Sequence, residues 1–392
     1  MIAPILSSAA GSVAARSEAA PAVAVTRLDL SDFRCYRQAR IDLDSRPVAL
    51  AGPNGAGKTN LLEAVSFLAP GRGLRRARLT EVDRIGGGAW AMAATVQTAA
   101  GPIAIGTGRD PEGEGRERRL VRIDGAPQRG QAALAEVAGI VWLTPQMDRL
   151  FLESAGGRRR FVDRLVYGFD PEHAGRVAAY EHALRERGRL LRERSGDRGW
   201  FSALEEQIAG QGVAIVAARR ELAAAIDRAA AEGVGPFPRP ALAMEGTVDT
   251  WLDEGPALAA EERLRAMLAA GRRTDAETGS TAAGPHRSDL AVRHAGKDMP
   301  AAQCSTGEQK ALLLAIVLAD VRLQAAARGV PPILLLDEVA AHLDPDRRSH
   351  LYDEILALGV QAWLTGTDAE LFAPLAGAAQ HLRVADAIVT PR

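Results

Sequence analysis

Apolar and polar residues alternate with a period of two in the first part of the chain. Residues 23–30 ("VAVTRLDL") follow this pattern, residues 40–44 repeat it briefly, and residues 47–51 form a short apolar run that leads into a glycine-rich loop. Such alternation is typical of β-strands, and a short apolar run is typical of a buried strand. A helix is predicted over residues 57–68, and further strands with a hairpin turn are predicted within residues 90–125.

The periodicity changes to three and four after about residue 171. Apolar side chains recur at that spacing along two stretches, which predicts two amphipathic helices of roughly 24 and 32 residues, or about 35 and 50 Å. The sequence "SGDRG" at residues 195–199 separates them, so we expect a helical hairpin. Arg187 and Gly188 interrupt the first apolar stripe, which argues against a long independent coiled coil. Buried strands are predicted again at residues 331–338 and 361–365.

The composition limits the classes of protein to which the chain can belong. Its 392 residues are 47% hydrophobic, and 48 basic side chains nearly balance 49 acidic ones to give a net charge of -1. Any contact with nucleic acid must therefore come from local basic patches. The two cysteines, Cys35 and Cys304, lack the spacing of a disulfide scaffold or a zinc site. No stretch approaches the roughly 20 apolar residues of a membrane span, and we find no export signal, so we expect a cytoplasmic protein with no membrane partner.

The lysine in the glycine-rich loop is informative because the chain has only three lysines and otherwise uses arginine for positive charge. The stretch "GPNGAGKT" fits the GxxxxGK[ST] phosphate loop, with a strand before it and a helix after it. Its backbone N–H groups would surround phosphate, Lys58 would bridge the β- and γ-phosphates, and the Thr59 hydroxyl would bind Mg²⁺. The alternative is an ordinary glycine-rich turn. The nucleotide-contacting residues predicted here are Gly52, Pro53, Asn54, Gly55, Ala56, Gly57, Lys58, Thr59 and Asn60.

A second candidate site follows the buried strand "ILLLDE" at residues 333–338. The end of this strand delivers Asp337, which we expect to bind Mg²⁺ together with Thr59, and then Glu338, which we expect to orient the attacking water. Phosphoryl transfer with a metal ion needs such a pair of carboxylates, so the sequence favours ATP hydrolysis over nucleotide binding alone.

The stretch "CSTGEQKALLLAIVLA" at residues 304–319 begins with Ser-Thr-Gly directly before a predicted helix. It resembles the signature motif of ABC ATPases, in which Ser305 and Gly307 would face the γ-phosphate of a nucleotide bound to a partner chain. Ser305 and Glu308 also fit a capping box, S/T-x-x-E, which needs no ligand. The phosphate loop and the second strand favour the signature motif.

The chain resembles the RecF family of recombination mediators, relatives of the SMC ATPases. The matching stretches cover nearly the whole chain after residue 22, and "GPHRSDL" with the arginine run after the first helix is more specific than a phosphate loop. They are "LDLSDFRCYRQARIDLD" (28–44), "LAGPNGAGKTNLLEAVSFLAPGRGLRRAR" (50–78), "GRRRFVDR" (157–164), "TAAGPHRSDL" (281–290), "CSTGEQKALLLAIVLA" (304–319) and "ILLLDEVAAHLD" (333–344).

The resemblance implies a switch in recombinational repair and replication restart. ATP would drive a homodimer in which each phosphate loop faces Ser305 and Gly307 of the other chain. The dimer would clamp double-stranded DNA, favour junctions between single and double strands, and help load the recombinase with RecR- and RecO-type mediators. Gln146 falls where the family has a lid residue that contacts nucleotide. "TGTD" at residues 365–368 stands where many ABC ATPases have a switch histidine, which implies slow hydrolysis.

Arginine runs supply the candidates for DNA contact, because arginine binds backbone phosphate without selecting a sequence. The first run directly follows the predicted phosphate-loop helix, and we favour it. A second run at 158–160 and a helical series at 185–194 are further candidates. The helical series alternates with Glu186 and Glu193, so a solvated, salt-bridged helix face explains it at least as well. The favoured DNA candidates are Arg72, Arg75, Arg76 and Arg78.

Other classes of function explain the sequence less well. A transporter ATPase subunit would have the signature motif nearer the phosphate loop, and an SMC chromosome protein would have it hundreds of residues further away. A nuclease-linked ATPase would need a further domain of clustered acidic ligands. A small-molecule kinase would have no use for a Ser-X-Gly motif that acts on a partner.

We therefore predict an α/β fold, a P-loop NTPase of the ABC-ATPase type with a mixed sheet flanked by helices and an inserted helical arm. Residues 23–150 would form the first part of the ATPase domain, 151–280 the helical arm, and 281–392 the second part of the ATPase domain. Residues 1–22 are rich in Ala, Ser and Gly and are predicted to be a disordered extension.

Overall fold

The computed structural model describes residues 23–112, 117–193, 197–231 and 235–392. These divide into two compact units. The sheet unit contains residues 23–148, 235–238 and 313–392, and the helical unit contains residues 149–231 and 239–312. The predicted extension, residues 1–22, lies outside the described residues.

The first sheet of the sheet unit is antiparallel. Its strands are β1 (Ala24–Phe33), β2 (Tyr36–Asp42), β4 (Ala91–Thr98), β5 (Gly101–Arg109), β6 (Arg119–Ile123) and β7 (Ala126–Pro127). They lie in the order β2-β1-β4-β5-β6-β7. The predicted hairpin turn at Asp124 and Gly125 joins β6 to β7, as expected for an Asp-Gly pair.

The second sheet is mixed. Its strands are β3 (Val48–Ala51), β8 (Ile140–Leu143), β12 (Ile333–Leu336), β13 (Ala362–Gly366), β14 (Gln380–Ala385) and β15 (Ile388–Pro391). The order is β15-β14-β3-β13-β12-β8, and all neighbours are parallel except β14 and β15. Every residue of β3 and β12 is buried, which explains why these strands are continuous apolar runs in the sequence.

Among its described residues the sheet unit also contains α-helices, one of which it shares with the helical unit. They are α1 (Lys58–Ser66), α2 (Leu134–Val137), α9 (Pro345–Leu358) and the part of α8 (Thr306–Arg328) after residue 312. One apolar core joins both sheets with α1, and includes Leu28, Leu61, Val65, Leu335 and Trp363. Burial of such side chains is the main favourable term in folding and fixes α1 in place.

The helical unit is built around three long helices. Its elements are α3 (Ala155–Val166), α4 (His173–Glu193), α5 (Arg198–Ala231), α6 (Thr247–Glu254), α7 (Ala257–Thr278), β9 (Pro240–Glu245), β10 (Asp289–His294) and β11 (Met299–Pro300). Helices α4 and α5, of 21 and 34 residues, confirm the two predicted helices. Helix α7 was not predicted, because only Ala260, Leu264 and Leu268 form its narrow apolar stripe.

Arg187, which interrupts the apolar stripe of α4, is buried rather than exposed. Its guanidinium donates to the carboxylates of Glu205 at 3.0 Å and Asp275 at 2.7 Å, and to the Leu268 carbonyl at 2.7 Å. A buried cation needs such partners because desolvation of an isolated charge is very costly. The idea that Arg187 belongs to an exposed basic series is therefore wrong.

The "GPHRSD" stretch forms a corner in the helical unit. His286 Nε2 donates to the Thr281 carbonyl at 3.1 Å, so the Tyr180 hydroxyl donates to Nδ1 at 2.6 Å. Burial lowers the pKa of His286. Arg219 donates to the Pro285 carbonyl at 2.7 Å and to both oxygens of Asp163. These bonds give the motif a structural role within the helical unit.

The division into units differs from the predicted boundary at residue 281. Residues 281–312 belong to the helical unit, because β10 pairs with β9 along its whole length and with β11. Sequence periodicity does not reveal such pairing between distant strands. The assignment of functional domains stays a prediction.

Within the described ranges, no helix combines the length and hydropathy that a membrane span requires.

Candidate functional site

The phosphate-loop sequence connects β3 to α1. Gly57 has φ 112°, a conformation that side chains with a Cβ rarely adopt, and its carbonyl accepts from the Tyr36 hydroxyl at 3.2 Å. A Cβ on Gly57 would lie 2.6 Å from that hydroxyl and 2.9 Å from Cys35 Sγ. Glycine is therefore required here by both backbone conformation and space.

Lys58 points back into the loop that precedes it. Its ammonium donates to the carbonyls of Gly52 at 2.7 Å and Pro53 at 2.9 Å, and only 3% of the residue is exposed. Burial lowers the pKa of Lys58, while the charges of Glu338 and Asp337 act to raise it. An ammonium has three donors, so these two carbonyls leave it able to bind an anion at the loop.

Asp337 and Thr59 meet at the end of the parallel sheet. The Thr59 hydroxyl donates to Asp337 Oδ1 at 2.9 Å, and the Thr365 hydroxyl donates to the same oxygen at 2.8 Å. Burial raises the pKa of Asp337, the hydrogen bonds from Thr365 and Thr59 lower it, and the charge of Glu338 raises it further. The predicted pair of metal ligands is thus brought together by β12 and α1.

Glu338 follows directly and is a backbone outlier. Its φ is 55°, in the left-handed region, and its N–H donates to the Thr365 hydroxyl at 2.8 Å. Such conformations cost free energy in residues other than glycine and cluster at functional sites. The role of Thr365 was not predicted from the sequence, although residues 365–368 were singled out there.

The C-terminal hairpin contacts the loop from one side. The Ala387 N–H, in the turn between β14 and β15, donates to the Ala56 carbonyl at 3.3 Å. A Cβ on Gly52 would lie 1.9 Å from the Val384 carbonyl oxygen, so β14 approaches the loop as closely as a bare backbone permits. These contacts were not predicted because they join residues that are far apart in the sequence.

The arginine run after α1 divides into two kinds of residue. Arg75 donates to Asn60 Oδ1 at 2.8 Å and to Glu63 Oε2 at 3.1 Å. Glu63 lies on α1, is fully buried, and is also held by Arg34. The whole run is exposed, and Arg75 differs from Arg72, Arg76 and Arg78 in its ion pair with Glu63.

Arg119 anchors the loop that carries this run. Its buried guanidinium donates to the carbonyls of Phe67 and, at 3.1 Å, of Gly71, just beyond α1. Burial lowers its pKa to about 9. The carbonyls after the last turn of a helix need such donors, so Arg119 fixes the end of α1 and the start of the run together.

The second arginine run is mostly engaged within the helical unit. Arg158 forms a two-pronged ion pair with Asp289, with both N–O distances 2.7 Å, and Arg159 donates to the Ser288 carbonyl at 2.8 Å. Of the helical series, Arg189 pairs with Glu186 and Glu193 on its own helix. These contacts fit the salt-bridged alternative.

The predicted signature lies in the helical unit, at the start of α8. Ser305 Oγ donates to Glu308 Oε2 at 2.8 Å, and the Ser305 N–H donates to the same oxygen at 2.9 Å. Together with Lys297, Ser305 lowers the pKa of Glu308 to about 2. The capping box is therefore formed, yet Ser305 and Gly307 are exposed, and a Cβ on Gly307 would meet nothing within 4 Å. The cap and an outward-facing motif are compatible.

Gln146 is exposed in the 3-10 helix Pro145–Arg149 that follows β8. Strand β8 pairs with β12, and the Asp337 N–H donates to the Leu143 carbonyl at 3.0 Å. Gln146 therefore follows the strand beside the one that delivers Asp337. Its contact with nucleotide stays a prediction.

The donors at this site suit Mg²⁺ rather than a metal held by protein alone. The described residues contain no group of three or more His, Cys, Asp or Glu placed to bind a metal ion. One carboxylate and one hydroxyl, Asp337 and Thr59, are nevertheless what Mg²⁺ uses when phosphate oxygens and water complete its shell. The site thus fits a magnesium–nucleotide complex.

Known sequences of one family match this chain over nearly its whole length. A profile of the family described as RecF/RecN/SMC N terminal domain matches residues 24–375. The DNA replication and repair protein RecF of Mesorhizobium japonicum is 50% identical over 372 residues, or 94% of this chain and 97% of that protein. The RecF protein of Rhizobium meliloti is 48% identical over 373 residues, or 94% and 99%. This similarity favours RecF over a transporter subunit or an SMC chromosome protein.

Solved structures agree on the fold. A structure of the recombination mediator protein RecF-ATPrS in the RecFOR pathway superposes with a TM-score of 0.83 at 20% identity, covering 95% of this chain and 100% of that one. An Smc head domain from Pyrococcus furiosus, with an extended coiled coil and bound to the C-terminal domain of ScpA, gives 0.52 at 16%, covering 94% and 95%. The predicted P-loop, ABC-type ATPase fold is confirmed. The chain belongs to the RecF family of DNA replication and repair proteins, among the ABC- and SMC-like ATPases.

Proposed function

We propose that this chain is an ATP-dependent DNA-binding protein that hydrolyses ATP slowly and uses it as a switch in recombinational repair. The main support is the meeting of Thr59 and Asp337 beside the loop that Lys58 closes. A related RecF protein was solved with ATP. Family membership at about half identity supports the same role in DNA replication and repair.

Each residue of the site has a chemical task in this proposal. Lys58 and the N–H groups of the loop bind phosphate, and Thr59 with Asp337 holds Mg²⁺, which would neutralise charge that develops on phosphate. Glu338 orients the attacking water. Gln146 contacts the nucleotide from the end of β8. The "TGTD" stretch at residues 365–368 stands where many ABC ATPases have a switch histidine, which supports slow turnover.

ATP would join two copies of the chain. Ser305 and Gly307 of one copy would face the phosphate loop of the other, and the exposed start of α8 supports this role. In this proposal residues 23–150 and 281–392 form the ATPase domain, and residues 151–280 form the arm. The dimer would work in the cytoplasm with RecR- and RecO-type mediators; the RecFOR pathway named for the solved relative supports those partners.

The dimer would clamp double-stranded DNA and favour junctions with single strands. Arg72, Arg76 and Arg78 are the exposed candidates for phosphate contact. Arg75 belongs to the same run, but it also forms an ion pair with the buried Glu63. Removing the Arg75 side chain would leave one oxygen of that carboxylate without this partner.

Dimerisation tests the trans arrangement of the site. We expect ATP with Mg²⁺ to shift the parent from monomer to dimer in sedimentation velocity, and we expect Lys58→Arg and Ser305→Arg to abolish that shift. Ser202→Arg, at an exposed serine of α5, is the matched control and should dimerise like the parent. If Ser305→Arg remains folded and dimerises normally, the signature does not act on a partner's nucleotide.

The salt dependence of DNA binding tests the arginine run. Replacing Arg72, Arg76 and Arg78 by Ala should make the slope of log K against log salt shallower by about 0.9 for each DNA phosphate that the protein no longer neutralises. Anisotropy of a labelled duplex, with ATP and Mg²⁺ at several salt concentrations, measures the slope. Arg273→Ala, at a residue with 91% of its side chain exposed, is the control. Equal slopes for the triple variant and the parent would refute the assignment of these arginines to DNA.

A further inference from the structure

One buried hydroxyl lies between the two acidic residues of the site. Thr365 is the fourth residue of β13 and is 1% exposed. Its hydroxyl donates to Asp337 Oδ1 at 2.8 Å and accepts the Glu338 N–H at 2.8 Å. A hydroxyl has one proton and two acceptor positions, so the Glu338 contact leaves its proton directed at Asp337.

Both contacts satisfy hydrogen-bonding groups whose loss of a partner would cost free energy. Asp337 is 4% exposed, and its Oδ1 is shared between Thr365 and Thr59. Glu338 has a left-handed backbone, and such a conformation persists only where its surroundings fix it. The acceptor that Thr365 offers to the Glu338 N–H is one such constraint.

The Asp337 oxygen to which Thr365 donates joins three elements. Strand β12 ends before Asp337, β13 carries Thr365, and α1 carries Thr59, which donates to the same carboxylate oxygen. The parallel register pairs Leu336 with Leu364, so Thr365 is placed directly beside Asp337. Thr367, two residues further on, is exposed.

We propose that Thr365 is a positioning residue of the hydrolysis site, which holds Asp337 in place for Mg²⁺ and fixes the backbone from which Glu338 reaches the attacking water. This inference rests on the proposed ATPase function. The "TGTD" stretch would then position the two acidic residues, a role different from that of the histidine it lacks.

Thr365→Val is the informative variant because it keeps the shape of threonine and removes the hydroxyl. We expect kcat for ATP hydrolysis to fall about tenfold or more, because a buried hydrogen-bonding group loses its partner. Titration calorimetry in EDTA should give an ATP affinity within about twofold of that of the parent. The Thr365 hydroxyl bonds Asp337 and Glu338, whereas Lys58 and the phosphate loop are proposed to bind the phosphates. The affinity gained on adding Mg²⁺ should be smaller than in the parent.

Thr365→Ser keeps the hydroxyl and should restore both kcat and the effect of Mg²⁺. Thr367→Val is the matched control and should behave like the parent. If the Val variant does not fold, Ser and Ala at position 365 provide the same comparison, since both are smaller than Thr and differ in the hydroxyl.

Two results would overturn the inference. One is a folded Thr365→Val protein with the parent kcat and the parent response to Mg²⁺. The other is an equal loss of ATP affinity in EDTA and in Mg²⁺, which would indicate a structural role only. A parent that hydrolyses no more ATP than Glu338→Gln would instead contradict the proposed ATPase function, and so the two failures are distinguishable.

Discussion

Asp337 keeps its carboxylate in a position that is nearly closed to solvent. Two hydroxyls donate to it, yet burial still raises its pKa. A carboxyl with a higher pKa in the folded than in the unfolded chain stabilises the fold at low pH, and this contribution is lost as pH rises through the folded pKa. The charge that would bind Mg²⁺ is thus maintained at the expense of stability.

Asp337→Asn should therefore make the nucleotide-free protein more stable. We expect its melting temperature at pH 8 to rise by about 2–4 °C, the change that about 1 kcal/mol produces in a domain of 150–250 residues. The difference from the parent should shrink as the pH falls and the parent carboxyl gains its proton, which its raised pKa allows at a higher pH than for an ordinary Asp. Calorimetry in magnesium-free buffer measures it, with the exposed Asp353→Asn as control. A lower melting temperature at pH 8 would contradict this expectation.

Local motifs made part of the site predictable. Lys58, Thr59 and Asp337 could be named because a phosphate loop and the strand that ends in Asp-Glu have recognisable strings and contexts. Thr365 could not be given a role, because its partnership with Asp337 depends on the register of β12 and β13. Arg187 was misjudged for a similar reason, since its partners Glu205 and Asp275 come from other helices.

At the scale of elements, the phosphate loop is held between two hairpins from different sheets. The β1–β2 hairpin supplies the Tyr36 hydroxyl, which donates to the Gly57 carbonyl, and the β14–β15 hairpin supplies the Ala387 N–H for Ala56. Two-residue hairpins favour positive φ at both central positions, and Asp386 and Ala387 have φ values of 49° and 58°. Neither residue is glycine, so the turn is strained.

Substitutions at Ala387 distinguish the backbone strain of this turn from its role in positioning the phosphate loop. Ala387→Gly keeps the N–H and should stabilise the protein by about 1 kcal/mol, with unchanged ATP affinity. Ala387→Pro removes the donor and cannot adopt a positive φ, so ATP affinity should fall about tenfold. Titration calorimetry and thermal melting of the two variants measure these effects. Equal ATP affinity for both would show that the turn does not position the loop.

Elements with strong periodicity were predictable and those with weak periodicity were not. Helices α4 and α5 follow from apolar spacing, and β3 and β12 from short apolar runs. Helix α7 has few apolar positions and gains its stability from packing with α5 through Leu264 and Leu268. Propensity and period do not report such tertiary support.

At the scale of the whole molecule, each of the two units has its own stabilising centre. The sheet unit relies on the apolar core around α1, and the helical unit contains a smaller apolar cluster together with the buried ion pairs of Arg187. Removing one member of a buried pair typically costs about 3–5 kcal/mol, because the remaining charge is left uncompensated.

Arg187→Met should consequently destabilise the helical unit by about 3 kcal/mol, because buried Asp275 loses its charged partner whereas Glu205 keeps its ion pair with Arg272. Loss of helical circular dichroism should begin at a lower temperature, while ATP affinity at moderate temperature should remain near that of the parent. Arg189→Met is the matched control, because Arg189 forms exposed pairs two residues along the same helix and should matter by less than about 1 kcal/mol. The same loss of stability for both variants would contradict the role of the buried network.

The pairing of β3 with β13 and β14 has a consequence for the newly made chain. The loop after β3 leaves the ribosome early, but the strands on either side of β3, and the Ala387 amide, follow about 330 residues later, or roughly 15–70 s at common rates of synthesis. Until then β3 has neither neighbour, and Lys58 stands in an unfinished lobe. Under the proposed function, a nascent chain would gain the ability to bind nucleotide, and with it the ability to dimerise, only once β13, β14 and the turn at Ala387 have been made.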